Sequence, residues 1–329
     1  MHWKFLYPNK FWAITGLVAL NLALLLSCQS KADRDTGLLA KDQTAKADLQ
    51  RANVELNSTK QISPDNFEKL KAIYTKYPYA AELVQSYKAA LAIRQDWEVL
   101  EKLLAEIPLA ERSPDDNILL AKVYLKLGKF SETAEIMKSV GAATSNDPEI
   151  RSLAAFAHFG LGELDAAAED LDSVWDTIIS QKRIGEINLR GLIHFGKKDY
   201  PKAIDTLKKA LDLDPLNTVA FNTLSRVYYA AGDAEMAEKY RKETERAHQQ
   251  MTIDENRKMT FVSLVNKLKT AWNERRYEEV VRLSQEMIPI ADRANKEAVY
   301  KYLAEAQSAL GNKAAADAAM AEAQKLKEQ

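Results

Sequence analysis

Cys28 is the only cysteine in a chain of 329 residues. A lone thiol has no intrachain disulfide partner and cannot build a multi-cysteine metal site. What remains for it is nucleophilic chemistry, and its surroundings say which kind. It closes the apolar run Phe11 to Leu26, which follows a stretch carrying Lys4 and Lys10 and no acid. A basic start, an apolar run and a small residue at the end form the layout of an export signal. The run is 16 residues long and interrupted by Asn21, marginal for a permanent span at about 1.5 Å rise per residue.

Other side chains offer less chemistry. There is no His-Glu-x-x-His helix for zinc. The glycines stand singly, so no loop is built to cradle phosphate. Carboxylates are numerous, 47 Asp and Glu against 46 Lys and Arg, but runs of such charge are ordinarily solvated helix faces. We therefore expect no catalytic set, no metal and no cofactor. The net charge is −1, or −3 once the first 27 residues are set aside, and no half of the chain is strongly basic. Nucleic acid is not an expected partner.

The segment Leu25-Leu26-Ser27-Cys28 resembles a bacterial lipobox, with an apolar residue three before the cysteine and a small residue directly before it. The resemblance implies that the thiol receives a diacylglycerol and that cleavage leaves Cys28 as the new N-terminus. Two or three acyl chains, at about 0.8 kcal/mol per buried methylene, hold a protein on a membrane without further help. Gln29 comes next, and a residue other than Asp there implies sorting to the outer membrane, facing the periplasm, in two-membrane bacteria.

Residues 1–27 thus read as a lipoprotein signal peptide and 28–62 as a polar tether. A coil of that length reaches roughly 30 to 35 Å. Leu49, Ala52 and Leu56 recur at helical spacing, which would make the second half of the tether an irregular helix capping the array. The rest of the chain has few helix breakers, 11 Gly and 9 Pro in all, which favours long helices joined by short turns.

Those helices repeat. The turn Leu127 to Phe130 returns as Leu161 to Leu164, with Gly128 and Gly162 separated by 34 residues. A small residue steps along the chain at Thr133, Ala167, Ala203, Ala237, Val280 and Ala316, with spacings of 34, 36, 34, 43 and 36. Companion small residues stand in the preceding helices at Ala121, Ala155, Gly191, Ser225 and Ala304. Small side chains at these places let two antiparallel helices approach closely, while a large apolar residue nearby fills the gap beside them. Ser63-Pro64 and Ser113-Pro114 read as N-caps followed by Pro at the first helical position.

Residues 188–217, through Tyr200, Ala203, Leu207, Ala210 and Pro215, and residues 220–247, through Phe221, Leu224, Ser225, Tyr228 and Gly232, resemble tetratricopeptide repeats. The chain is therefore similar to bacterial tetratricopeptide repeat lipoproteins. The resemblance implies an all-α fold, a right-handed α-solenoid of antiparallel helix pairs. The array is expected over 63–250, degenerate at 63–112 and clear at 113–250, with a C-terminal pair at 251–329. The spacing of 43 marks an insertion near Thr252 to Lys258, either a helix extension or a hinge. His158 and His194 fall where such repeats pack an aromatic residue, and we expect each to be partly buried and bonded to backbone.

In the family this chain resembles, the first helices of successive repeats line a groove for an extended peptide or a partner helix. Projected here, that groove contains Lys122 and Lys126, then Phe156 and Phe159, then Asn188 and Phe195, then Asn222, Arg226 and Tyr229. Aromatic residues supply contact area at low entropy cost, and Asn can satisfy both groups of a peptide unit. The two-lysine carboxylate clamp of chaperone-binding members is not reproduced. The function implied is a lipid-anchored scaffold binding envelope proteins or extended peptides. The alternative is a helical small-molecule-binding lipoprotein of a transport system, which requires a closed apolar pocket.

Overall fold

The computed structural model describes residues 31–107 and 112–328. The expected signal peptide over 1–27 and the acylation residue Cys28 lie outside them. Every regular element among the described residues is helical: α1 (31–41), α2 (Gln43–Thr59), α3 (Pro64–Lys76), α4 (Ala81–Arg94), α5 (Trp97–Ala105), α6 (Pro114–Lys126), α7 (Phe130–Ser139), α8 (Pro148–Gly160), α9 (Leu164–Asp172), α10 (Trp175–Ser180), α11 (Ile184–Gly196), α12 (Tyr200–Leu213), α13 (Thr218–Ala230), α14 (Ala234–Asn273), α15 (Tyr277–Met287), α16 (Arg293–Ala309) and α17 (Lys313–Glu328). They form two compact units that divide between Thr177 and Ile178.

Within each unit successive helices, from α2 to α9 and from α11 to α17, pack on one another, and alternate helices, α2 with α4, α6 with α8 and α11 with α13, also touch. That is the contact pattern of stacked hairpins, each burying its apolar stripe against the next. The stepping small residues sit in the seams. Thr133, Ala167, Ala203 and Val280 are fully buried, and Ala237 and Ala316 nearly so. Their companions Ala121, Ala155 and Ala304 are buried as well. Ser225 Oγ donates to Ala237 O at 2.8 Å, so a side chain of one helix touches the backbone of its hairpin partner.

The turns keep the same register. Gly128, Gly162, Gly232 and Gly311 have φ between 70° and 85°, and Lys198 and Arg275 occupy the equivalent places at 61° and 58°. In each case the next residue's N–H closes back on the helix, as Lys129 does on Tyr124 O and Asp199 on His194 O. This left-handed close satisfies carbonyls that the helix end leaves open. The sequence displayed the turn only where it held glycine; the hydrogen-bond geometry reveals it at Lys198 and Arg275 too. Ser63 and Ser113 cap α3 and α6 as expected, each accepting from the N–H three residues on, with Pro at the first turn.

Two segments differ from expectation. The stretch read as a tether is helical from residue 31 and belongs to the core of the first unit: Leu39, Ala45, Leu49, Ala52 and Leu56 are all buried. Asp35, 2% exposed, accepts from Tyr79 N. Asp42 caps α2 through Ala45 N and also accepts from Lys76 Nζ at 2.8 Å and Tyr77 Oη at 2.9 Å. The Lys76 hydrogen bond, with the Ala45 and Tyr77 donors behind it, holds the Asp42 carboxyl far below the usual carboxylate range. Polar composition concealed this because α1 and α2 present one thin apolar stripe on an otherwise charged surface. The division expected between 250 and 251 falls inside α14, a single helix of 40 residues. The insertion is thus a helix extension: α14 serves as second helix of one hairpin and first helix of the next.

Gly191 shows how tightly the seams close. A Cβ there would stand 2.6 Å from both Cγ and Cδ2 of Leu207 on α12. Alanine in a helix interior ordinarily gains up to about 1 kcal/mol over glycine, but Leu207 Cγ lies too near its own backbone to withdraw. Gly191→Ala is expected to lower the stability of the second unit by about 1–2 kcal/mol net, read as an earlier urea midpoint at unchanged helicity.

Candidate functional site

On α11 the residues Ile187, Asn188, Leu189, Gly191 and Ile193 are buried, leaving Leu192 and Phe195 half-buried on the outer face. On α13 the inward set is Ala220, Thr223, Leu224 and Val227. Asn222, Arg226 and Tyr229 succeed one another at helical spacing on the outer face, and all three are exposed, Tyr229 by 78%. The start of α14 walls this face. Together they form a groove of about 540 Å³ lined by Phe195, Arg226, Tyr229, Glu238 and Arg241. A second hollow of about 330 Å³ opens on the other flank of Arg226, between Leu192, Asn222, Val219 and His248. Arg226 stands between the two.

The two arginines of the groove differ in commitment. Arg241 is bound twice over: Nε and Nη2 reach the two oxygens of Glu238 at 2.7 Å each, and Nη1 bonds Glu245. Arg226 lies 5.2 Å from the centre of the Phe195 ring and makes no ion pair among the described residues. A guanidinium resting on an aromatic face keeps its in-plane N–H donors pointing outward. Arg226 is therefore the cation of this groove that can bind an incoming carboxylate or carbonyl without first breaking a salt bridge. Phe195 and Tyr229 supply apolar area beside it.

Of the residues the sequence nominated, the structure brings Phe195, Asn222, Arg226 and Tyr229 together. Asn188 is a correction. It is 7% exposed and exchanges two amide hydrogen bonds with Asn217, at 3.2 and 3.1 Å. Asn217 also accepts from Ala220 N as the cap of α13. An amide engaged through both its groups and buried in a seam is not presented to a partner. In the first unit Lys122 is exposed but paired with Glu149 of α8, Lys126 is exposed, and Phe156 and Phe159 are half-buried.

The expectation for His158 also needs correcting, because its partner is a carboxylate and not backbone. His158 Nδ1 stands 2.8 Å from Asp170 Oδ2, while Arg151 Nη1 donates to Asp170 Oδ1 at 2.8 Å. Arg151 further donates to the carbonyls of Ala143 and Ser145. The cluster ties α8, α9 and the Ala142–Thr144 turn together beside a hollow of about 450 Å³ that includes Glu135 and Lys138. The sequence held a signal for it: Asp170 falls between Ala167 and Leu171 on the buried face of α9, a carboxylate in a core position. Among the described residues no cluster of His, Cys, Asp or Glu is arranged to hold a metal ion.

A family model for the tetratricopeptide repeat matches residues 187–215, which take in most of α11 and all of α12. Those residues are similar to a tetratricopeptide repeat. The matched segment supplies one wall of the groove, with Phe195 inside it. Among solved structures, the crystal structure of MamA is 18% identical over 50% of this chain and 96% of its own, at a TM-score of 0.42. BtubC from P. vanneervenii is 18% identical over 64% of this chain and 93% of its own, at 0.43. The human IFIT1 dimer with PPP-AAAA is 16% identical over 97% of this chain and 83% of its own, also at 0.43. No curated protein matches the sequence.

The commitment of Arg241 can be measured. The Arg241 hydrogen bond, aided by its charge and that of Lys242, holds the Glu238 carboxyl at about 2 against an ordinary 4.5. A depressed carboxylate contributes stability that is fully present above pH 4.5 and is lost as pH falls towards 2. We expect carbon-13 NMR to show Glu238 titrating well below the other exposed glutamates, and Arg241→Ala to return it to their range. A Glu238 midpoint already near 4.5 in the unaltered chain, the ordinary value, would show Arg241 to be free.

Proposed function

We propose that the chain is a lipid-anchored interaction scaffold of the bacterial cell envelope whose second unit grips an extended segment of a partner protein. The observation that carries the binding reading is the Arg226–Phe195 pair: a guanidinium without an ion pair among the described residues, over an aromatic ring, with the exposed Tyr229 beside it. Single exposed aromatics are common on protein surfaces. A row of aromatic, cationic and amide groups along neighbouring helices matches what an extended chain offers at successive residues, namely carbonyls, a carboxylate and apolar side chains.

The address rests on the sequence alone. Leu25-Leu26-Ser27-Cys28, behind a basic and then apolar leader, supports acylation at Cys28, and Gln29 supports the outer membrane over the inner. The acyl chains would be the membrane contact, with proteins of the envelope as partners and nucleic acid not among them.

Two experiments test these readings separately. Mass spectrometry of the mature protein from its native membrane should find Cys28 as first residue, carrying a diacylglycerol, and Cys28→Ser should abolish both the added mass and the cleavage. An unacylated mature N-terminus rules out the address. Crosslinking from the envelope identifies the partner. Phe195→Ala together with Arg226→Ala should then weaken its binding by about 30-fold, near 2 kcal/mol. Unchanged binding removes the groove.

A further inference from the structure

The core-facing row of α14 does not stop where its neighbour stops. Against α13 the row runs through Ala237, Tyr240 and Ala247, all buried. His248 and Val219 still share a hollow, but α13 begins at Thr218, so nothing on it reaches further along α14. From the other end, Leu264, Leu268 and Ala271 are buried in the next hairpin on a different side of the helix. Between the two, the first row continues as Met251, Glu255, Lys258 and Val262, at spacings of 4, 3 and 4 residues. All four are exposed, Met251 by 48% and Val262 by 59%.

That row has the same spacing read in either direction, with its charges exchanged. Apolar, acidic, basic and apolar residues at 4, 3 and 4 become, on reversal, apolar, basic, acidic and apolar at the same spacing. An antiparallel helix pair with a two-fold axis midway between residues 256 and 257 sets Met251 against Val262 of the other copy. The same axis sets Glu255 against Lys258, each contact occurring twice. Within one chain Glu255 and Lys258 make no ion pair among the described residues, although they stand three apart; the neighbouring Asp254 pairs with Arg257 instead. An isologous interface must be self-complementary in this way.

We infer that the exposed middle of α14 is a self-association surface, occupied by the same stretch of a second copy of this chain running antiparallel to it. The surface is separate from the groove around Arg226 and does not depend on how that groove is used. Twelve helical residues span only about 18 Å, so the contact is small. Dissociation in the micromolar range and sensitivity to salt are the expected consequences. The charge pairs set direction and register more than strength, since a parallel arrangement would place like charges together.

The test uses the full chain carrying Met251→Cys and Val262→Cys. Eleven residues of helix hold these two thiols about 16 Å apart in one chain, too far for an internal disulfide. Mild oxidation should give a covalent dimer, with the unaltered chain as the control for Cys28. In that background Glu255→Lys or Lys258→Glu alone should cut the dimer yield by about tenfold, because each creates two like-charge contacts. The combined swap Glu255→Lys with Lys258→Glu should restore it. The swap keeps the composition and exposure of the helix, so loss of fold cannot imitate the pattern, and circular dichroism verifies helicity in every variant. A chain that gives no disulfide dimer at about 100 µM, where a micromolar contact would be occupied, overturns the inference. So does a dimer yield indifferent to single reversal, which would show that Glu255 and Lys258 do not meet across the contact.

Discussion

Close approach of paired helices where small residues face each other across each hairpin is the constraint on which the rest of the structure depends. At Ala121, Ala155 and Gly191, and opposite them at Thr133, Ala167 and Ala203, little or no side chain separates the helices, and the apolar residues on either side close over the contact. Gly191 and Leu207 are the limiting case, where a methyl group does not fit. Because the contact recurs once per hairpin, it fixes where each turn falls and how far the second helix is rotated against the first. The left-handed residue of each turn repeats at the spacing of the small residues, even where lysine or arginine takes the strain in place of glycine.

Rigid spacing in the seams leaves the outer faces free to vary. A residue pointing away from a seam touches little of its own hairpin, so its chemistry is constrained by what lies opposite on the neighbouring helix. Arg226 finds a ring and remains available, whereas Lys122 finds Glu149 and is neutralised. Arg241 finds two carboxylates. These are local differences between otherwise equivalent positions, and they separate a residue that can bind from one that holds the array together. Buried polar groups obey the same logic: Lys88 and Asp116 pair across α4 and α6, and Asn188 pairs with Asn217 across α11 and α13. A buried charge or amide is costly without a complement, and in these two pairs the adjacent repeat supplies it.

Departures from the period have structural consequences of their own. Where the spacing grows to 43, the extra residues lengthen one helix and no loop breaks it, so α14 projects beyond the hairpins on either side. Its ends are covered by α13 and α15, and the row Met251, Glu255, Lys258 and Val262 in its middle is exposed. The first described helices show the converse. Their composition suggested a spacer, yet Leu39, Leu49 and Leu56 lie in the core of the first unit, because a solenoid end must be capped by something with one apolar side.

By itself the sequence determined the helical class, the hairpin period, the caps at Ser63 and Ser113, and the small residues of the seams. All of these are local or strictly periodic, so a 34-residue comparison within one chain exposes them. The projection that set Phe195, Asn222, Arg226 and Tyr229 on the outer faces of α11 and α13 rests on the same ground: a helix face is fixed by spacing. Only the tertiary structure decided that Asn188 is spent on Asn217, that His158 faces Asp170, that Lys122 is paired, and that residues 31–59 belong to the core. Each of those outcomes depends on a group brought in by a different helix. Spacing along one helix says which way a side chain points but not what waits for it there.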